Sequence, residues 1–172
     1  AERLIERARA AVVQAWGPHH PAVCRLTRLK GQVAAERGDV ALAIQTYRQA
    51  LQELESASPP DESEQATILF HLAKATAESG DAPGAREGFE QSLNLRRKLF
   101  GARHKDVAES LNGLGFADYA LGRSADALAH IREAYDLRRE LLHPDHPDRQ
   151  ESLNNLAILL EGDGQVDEAR RM

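Results

Sequence analysis

The chain has 172 residues, of which 42% are hydrophobic and 28% are charged, and its formal net charge is −5. This length suffices for one ordinary domain with a substantial core, and the acidic balance argues against general nucleic-acid binding, which needs a basic surface. No apolar run approaches the roughly 20 residues that cross a bilayer, and no signal peptide opens the chain. The single cysteine, Cys24, excludes an internal disulfide framework and is compatible with a reducing compartment. We therefore expect a cytoplasmic protein with neither nucleic acid nor membrane as a partner.

Small and large apolar residues recur along the chain every 42 residues. The glycine column contains Gly38, Gly80, Gly122 and Gly164, and the alanine column five places later contains Ala43, Ala85, Ala127 and Ala169. A large apolar residue follows at Tyr47, Phe89 and Ile131. A fixed period of this kind is typical of repeat proteins, whose units stack to bury a continuous core.

Each repeat is predicted to contain two antiparallel helices, A and B. In chain order, residues 1–16 are helix B of a truncated repeat, residues 22–55, 62–100 and 106–142 are complete repeats, and residues 148–172 are a second truncated repeat. The segment Ser56–Asp61 has the composition of a linker but keeps the period, so it is predicted to be a loop within one array. Starting and stopping inside a repeat predicts a fragment of a longer array. Its ends are expected to associate through residues that lack a covering neighbour, namely Ile5, Val12, Leu159 and Leu160.

The third complete repeat shows the pattern most clearly. Val107, Leu111 and Leu114 follow helical spacing in helix A, and Gly122 suits the left-handed position that ends such a helix. Gly115 and Ala127 are expected to let the two helices approach closely. The first complete repeat departs from this pattern, because Thr27 and Lys30 occupy positions that hold leucine in later repeats.

The histidines could suggest a metal site, but they favour a structural role at the starts of helices. His19, His20, His104, His143 and His146 lie in loops a repeat apart, whereas zinc needs three or four converging ligands. A His-Pro pair suits the start of a helix, with Pro in the first turn and Asp148 near the positive end of the dipole. No phosphate-binding loop, nucleophile elbow or HExxH motif is present, and Cys24 has no evident base partner. The basic runs at residues 96–98 and 138–139 favour the ends of B helices more than a phosphate site.

The repeat pattern resembles the tetratricopeptide repeat, in the 42-residue form of kinesin light chain. The signature residues in one repeat are Leu111, Leu114, Gly115, Gly122, Ala127, Ile131 and Ala134. The segments Leu93–Gly115 and Leu137–Ala157 resemble the light-chain pattern of a basic pair, a loop and a leucine-asparagine helix. The resemblance covers nearly the whole chain and implies an all-α, right-handed superhelical solenoid of antiparallel helix pairs.

The resemblance also implies a concave groove that binds an extended peptide. Asn112, Asn154 and Asn155 interrupt apolar A helices, and the equivalent residues of the family bond the peptide backbone; the alternative is that they are solvated or bond between neighbouring helices. On the family pattern, the first half of the groove is lined by Arg25, Arg28, Gln32, His71 and Lys74. The second half is lined by Glu109, Phe116, Tyr119, Glu151, Ile158 and Glu161. These charges predict a ligand that is acidic at one end and basic at the other.

The predicted function is a non-enzymatic scaffold that binds a peptide segment of another protein and needs no metal or cofactor. The alternative is a regulatory or assembly module, which packs on another domain of its own polypeptide or on a second copy. The two hypotheses differ in solution, since a peptide-binding scaffold binds as a monomer, whereas an assembly module changes mass as flanking sequence is restored.

Overall fold

A computed structural model of the chain describes residues 1–57, 59 and 61–171, with the side chain of residue 168 excepted. Ser58 and Pro60 of the predicted loop, and Met172 of the predicted last helix, lie outside the described residues. The regular elements of the described part are α1 (Glu2–Trp16), α2 (Pro21–Glu36), α3 (Val40–Glu55), α4 (Glu62–Glu78), α5 (Ala82–Phe100), α6 (Lys105–Ala120), α7 (Ser124–Leu141), α8 (Pro147–Gly162) and α9 (Val166–Ala169). The predicted all-α fold of helix pairs is confirmed. None of these helices is both long and apolar enough to pass through a bilayer.

The glycine column closes the A helices as predicted. Gly38, Gly80, Gly122 and Gly164 all have φ between 73° and 88°, a left-handed conformation that costs glycine little because it has no Cβ. At the turn after α6, the Arg123 amide donates to the Asp118 carbonyl at 2.9 Å, as in a helix-ending Schellman motif. The chain then reverses directly into helix B, which places α6 against α7.

Three of the A helices start with a histidine that caps the helix. Nδ1 of His20, His104 and His146 accepts a hydrogen bond at 3.2 Å from the backbone amide two residues later. Asp61 takes this role in α4, where its carboxylate accepts from the Glu64 amide at 3.0 Å. The recurrence of these histidines is therefore explained by capping of otherwise unsatisfied helix-terminal amides.

The helices of a hairpin touch where a glycine faces a large residue. A methyl group on Gly31 of α2 would lie 2.7 Å from the Tyr47 ring, and one on Gly115 of α6 would lie 2.6 Å from Ile131. Real Cβ atoms essentially never approach so closely, so both positions need glycine as they are packed. The predicted close approach at Gly115 is confirmed.

The chain forms two compact units, residues 1–95 and residues 96–172. In the first unit, the buried core joins α2, α3 and α4 and includes Tyr47, Leu54 and Ile68. In the second, one buried cluster joins α7 and α8 and includes Ile131 and Leu156, and α6 buries Val107 and Leu111.

The expectation that Leu159 and Leu160 lack a covering neighbour is wrong. Their exposures are 7% and 0%, and they belong to the core of the second unit. They pack with Ala127 and Ile131 of α7, and Ala169 of the short helix α9 packs against the same cluster. At the other end, Ile5 and Val12 are half-buried and α1 has no buried residue. End-to-end association stays a prediction.

Within the first unit, polar contacts join α1 to α2 and α3. The Thr27 hydroxyl is buried, donates to Glu53 Oε2 at 2.6 Å and accepts from Arg9 Nε at 3.3 Å. Arg9 in turn pairs with Glu53 at 2.6 Å, and Lys30 pairs with Glu6 at 2.6 Å. The two residues that depart from the leucine pattern are therefore those that bind α1 by hydrogen bonds and ion pairs.

Candidate functional site

In the second unit, one face of α6 presents polar and aromatic side chains to solvent. Asn112, Phe116 and Tyr119 follow at intervals of four and three residues, which places them on one side of the helix. Phe116 is 43% exposed and Tyr119 is 54% exposed. Ile158 occupies the same register position of α8 as Phe116 does of α6 and is 59% exposed. We call these four residues, together with Asn155, the apolar-amide face.

Two asparagines of this face join α6 to α8. Asn155 Nδ2 donates to Asn112 Oδ1 at 3.3 Å, so this pair makes the bond between neighbouring helices that was the alternative interpretation. Each amide offers two donor hydrogens and two acceptor lone pairs, so the bond leaves capacity for a further partner. Asn154 precedes the Ile158 position by four residues, as Asn112 precedes Phe116, so it lies on the same side of α8 as Ile158. It is exposed and also lines a shallow pocket with Leu153 and Ala169.

Two of the three glutamates predicted for the second half of the groove pair with buried arginines, whereas Glu161 is exposed on α8. Arg96 is 4% exposed, and its Nη1 donates to the Asp106 carbonyl and to Ser110 Oγ, each at 2.8 Å, and lies 3.0 Å from Glu109. The guanidinium thereby fixes the end of α5 to the first turns of α6.

The same arrangement recurs one repeat later. Arg138 is 6% exposed and donates to the Asp148 carbonyl at 3.0 Å and to Ser152 Oγ at 2.6 Å, with Glu151 at 3.6 Å. Much of the charge of Glu109 and Glu151 is therefore balanced within the fold. Both arginines lie near the ends of B helices as the sequence predicted, but their burial was not predicted, although arginine followed by serine 14 places later recurs after 42 residues.

In the first unit, the predicted basic residues are already paired with carboxylates. Arg25 Nη2 lies 2.6 Å from Asp61 Oδ2, and Arg28 Nε lies 2.6 Å from Glu64 Oε1. The hydrogen bond from Arg25, together with the Glu64 backbone amide, lowers the pKa of the Asp61 carboxyl, and Asp61 raises the pKa of Arg25. Both arginines therefore bridge α2 to the start of α4, and their positive charge is balanced locally.

The polar row of the first unit continues from Arg28. Arg28 Nη1 donates to Gln32 Oε1 at 3.0 Å, and Gln32 Nε2 lies 3.0 Å from His71 Nε2. The His71 ring stacks on Tyr47 at a centroid distance of 5.8 Å. Burial raises the pKa of Tyr47 to about 12, so this phenol stays neutral. Lys74 is exposed and lines a small cavity of about 200 Å³ beside His71 and Tyr47.

The two units thus present different faces on their A helices. The face of α2 and α4 is occupied by ion pairs and hydrogen bonds among its own residues. The apolar-amide face of α6 and α8 leaves large apolar surface exposed beside amides. Exposed apolar surface rimmed by polar groups marks interaction sites more often than networks whose groups already satisfy one another.

Groups suited to catalysis or metal binding are used structurally or kept apart. Within residues 1–57, 59 and 61–171, no three histidine, cysteine, aspartate or glutamate side chains form a metal-binding group. Cys24 is 1% exposed, its thiol donates to the Pro21 carbonyl at 2.9 Å, and burial raises its pKa to about 11. A thiol with so high a pKa is a poor nucleophile at neutral pH.

Comparison with known proteins agrees with this architecture. The family model described as tetratricopeptide repeat matches residues 64–140 and 106–172. The crystal structure of BtubC (BKLC) from P. vanneervenii is similar over 99% of this chain and 68% of that one, with a TM-score of 0.89 and 22% identity. A Podosopora anserina kinesin light chain with nearly identical TPR-like repeats is similar over 99% of this chain and 81% of that one, with a TM-score of 0.77 and 21% identity. No curated protein matches the sequence.

A more distant similarity is found to MamA, with a TM-score of 0.67 and 15% identity over 96% of this chain and 80% of that one. At these identities the structural similarities establish the fold. Proteins with this fold are generally non-catalytic scaffolds for protein interactions.

Proposed function

The chain belongs to the tetratricopeptide repeat family, and we propose that it is a non-enzymatic scaffold that binds an extended peptide segment of a partner protein. The observation that carries the proposal is the apolar-amide face of the second unit. A cytoplasmic location and the lack of any cofactor belong to the same proposal.

The amides supply the part of binding that does not depend on peptide sequence. A side-chain amide can donate to a peptide carbonyl and accept from a peptide N–H, so it pairs with any residue except at proline nitrogen. Asn112 and Asn155 already orient each other through the bond at 3.3 Å, which reduces the entropy lost when a ligand binds. Asn154, exposed four residues before Ile158, offers a further amide to the same peptide.

The exposed side chains supply selectivity. Phe116, Tyr119 and Ile158 offer apolar surface that a ligand side chain can cover, and aromatic residues are enriched among those that dominate binding energy. Because Glu109 and Glu151 are balanced by buried arginines, we propose a preference for apolar residues over basic ones at this face. The ion pairs of Arg25 and Arg28 likewise reduce the preference for an acidic ligand end that the sequence predicted.

The proposal is tested by selecting peptides from a random library on the whole chain and measuring their affinity for variants. Phe116→Ala is expected to weaken the selected peptides by about 2 kcal/mol, or roughly 30-fold, as for a central anchor. Leu141→Ala is the matched control, since Leu141 is 41% exposed but lies on α7. Equal loss from both variants would contradict the proposal. If no peptide binds and the mass rises with concentration, the assembly alternative gains support instead.

A further inference from the structure

A crevice in the first unit lies between α3, α4 and α5, away from the apolar-amide face. Its volume is about 310 Å³. Leu51, Leu54 and Leu69 provide its apolar surface, and Leu54 and Leu69 are 7% and 9% exposed. Its polar residues include the half-buried Gln65 and the exposed Glu55 and Gln91. The crevice therefore combines a leucine-lined wall with two amides and the carboxylates of Glu55, Asp61 and Glu62.

At the corresponding repeat positions of the second unit, the chain supplies its own arginine. Forty-two residues after Glu55 stands Arg97, and 42 residues after Gln91 stands Glu133. Arg97 Nη2 lies 2.6 Å from Glu133 Oε1, so a guanidinium bridges helices α5 and α7 there. In the first unit, glutamate replaces this arginine and glutamine replaces its partner. At these two positions the crevice therefore has hydrogen-bond acceptors, and the chain supplies no cation.

The acceptors of the crevice are available to a cation. No ion pair joins Glu55 to another residue in the described part of the chain. Gln91 Nε2 donates to Glu87 Oε1 at 3.1 Å, which leaves the amide oxygen of Gln91 to accept. Glu87 adds a further negative charge beside it. Asp61 also lines the crevice but is already paired with Arg25, so it contributes little further attraction.

We propose that this crevice binds the side chain of an arginine from a partner protein. The methylene groups of the arginine pack on the leucine wall, as such stems commonly cover apolar surface. The guanidinium donates to the Glu55 carboxylate and to the amide oxygens of Gln65 and Gln91. Arginine is preferred over lysine because its planar group presents five donors to several acceptors at once. This site is separate from the proposed peptide face on α6 and α8.

Nuclear magnetic resonance can test the site with N-acetyl-L-arginine amide as the probe and N-acetyl-L-citrulline amide as its neutral control. Amide shifts of the whole chain are followed as each compound is added at millimolar concentration. The arginine probe is expected to shift the signals of residues 51–55, 65–69 and 91, with a dissociation constant on the order of millimolar or weaker, because an exposed ion pair and one packed side chain supply little binding energy. The citrulline probe is expected to cause much smaller shifts.

Three variants locate the binding. Glu55→Gln is expected to weaken the arginine probe about fivefold, whereas Glu36→Gln, the same charge change at an exposed residue of α2, leaves it unchanged. The double variant Glu55→Arg with Gln91→Glu places the ion pair of the second unit in the crevice and is expected to abolish these shifts. Circular dichroism verifies that each variant is folded. The proposal is overturned if the shifts lie elsewhere, if citrulline matches arginine, or if the double variant still responds.

Discussion

Replacing the buried arginine Arg96 should destabilise the second unit, and a second substitution should restore it. Arg96 Nη1 donates to the Asp106 carbonyl and Ser110 Oγ at 2.8 Å each, and the residue is only 4% exposed. Leu54 and Ile68 occupy the positions of Arg96 and Ser110 in the first unit, where both are buried in one apolar cluster. The same contact between a B helix and the following A helix is thus polar in the second unit and apolar in the first.

The cost of Arg96→Leu follows from the contacts it removes. Two hydrogen bonds from a charged donor contribute about 1.5–3 kcal/mol each. The ion pair with Glu109 adds little, because that carboxylate is 45% exposed. Part of the loss is offset by burial of the leucine. We expect the free energy of unfolding to fall by about 3 kcal/mol, in line with the disruption of other buried charged contacts.

The double variant Arg96→Leu with Ser110→Ile should recover most of this loss. Ser110→Ile alone is expected to cost about 2 kcal/mol, because it removes an acceptor and crowds a fully buried site. In the double variant the two apolar side chains can pack as Leu54 and Ile68 do. Urea unfolding of the four proteins, followed by circular dichroism, gives the coupling energy of the double-mutant cycle. If the double variant loses as much unfolding free energy as the two single variants together, the polar and apolar contacts are not interchangeable between repeats.

Three further predictions concern single positions. Gly122→Ala should lower the free energy of unfolding by about 1 kcal/mol, because φ is 73° there, although the space around the glycine is open. Gly162→Ala is the control and should not destabilise the chain, since its space is open and its φ is not positive. Equal melting temperatures for Gly122→Ala and the parent chain would count against the backbone explanation. Cys24 should resist iodoacetamide at pH 8 until urea unfolds the chain, and rapid labelling of the native protein would show that the thiol is not held as described. Asp61→Asn should lower the free energy of unfolding by under about 1 kcal/mol at pH 7, because Arg25 lowers the pKa of this partly exposed carboxyl in the folded chain. The difference in stability between the variant and the parent chain should shrink as the pH falls below about 4 and vanish once the folded carboxyl is protonated. A stability difference that persists in acid would contradict this ion pair.

The structural features that depend on residues recurring every 42 positions could be predicted from the sequence. The left-handed turn at Gly122 and the close approach at Gly115 depend on residues whose small size has one local consequence, so the 42-residue spacing alone located them. The N-terminal caps were only partly predicted, because a histidine that precedes a helix does not reveal that its Nδ1 accepts from the backbone.

Partners that are distant in sequence could not be predicted. Arg25 and Asp61 are 36 residues apart, and the aspartate was assigned to a loop, so no helical spacing connected them. Arg96 lies near the end of a helix, where a charged residue is expected to be solvated, and only the packing of α6 buries it. Leu159 and Leu160 were expected to be uncovered because the last repeat is incomplete, yet they pack in one cluster with Ala127 and Ile131 of α7.

The central claim is that the exposed face of α6 and α8 binds a peptide. The most direct measurement is a nuclear magnetic resonance titration of the whole chain with a peptide selected from a random library. We expect the largest amide and side-chain shifts at Asn112, Phe116, Tyr119, Asn155 and Ile158, with saturation at one peptide per chain. Saturable binding whose shifts leave these five residues unchanged would contradict it.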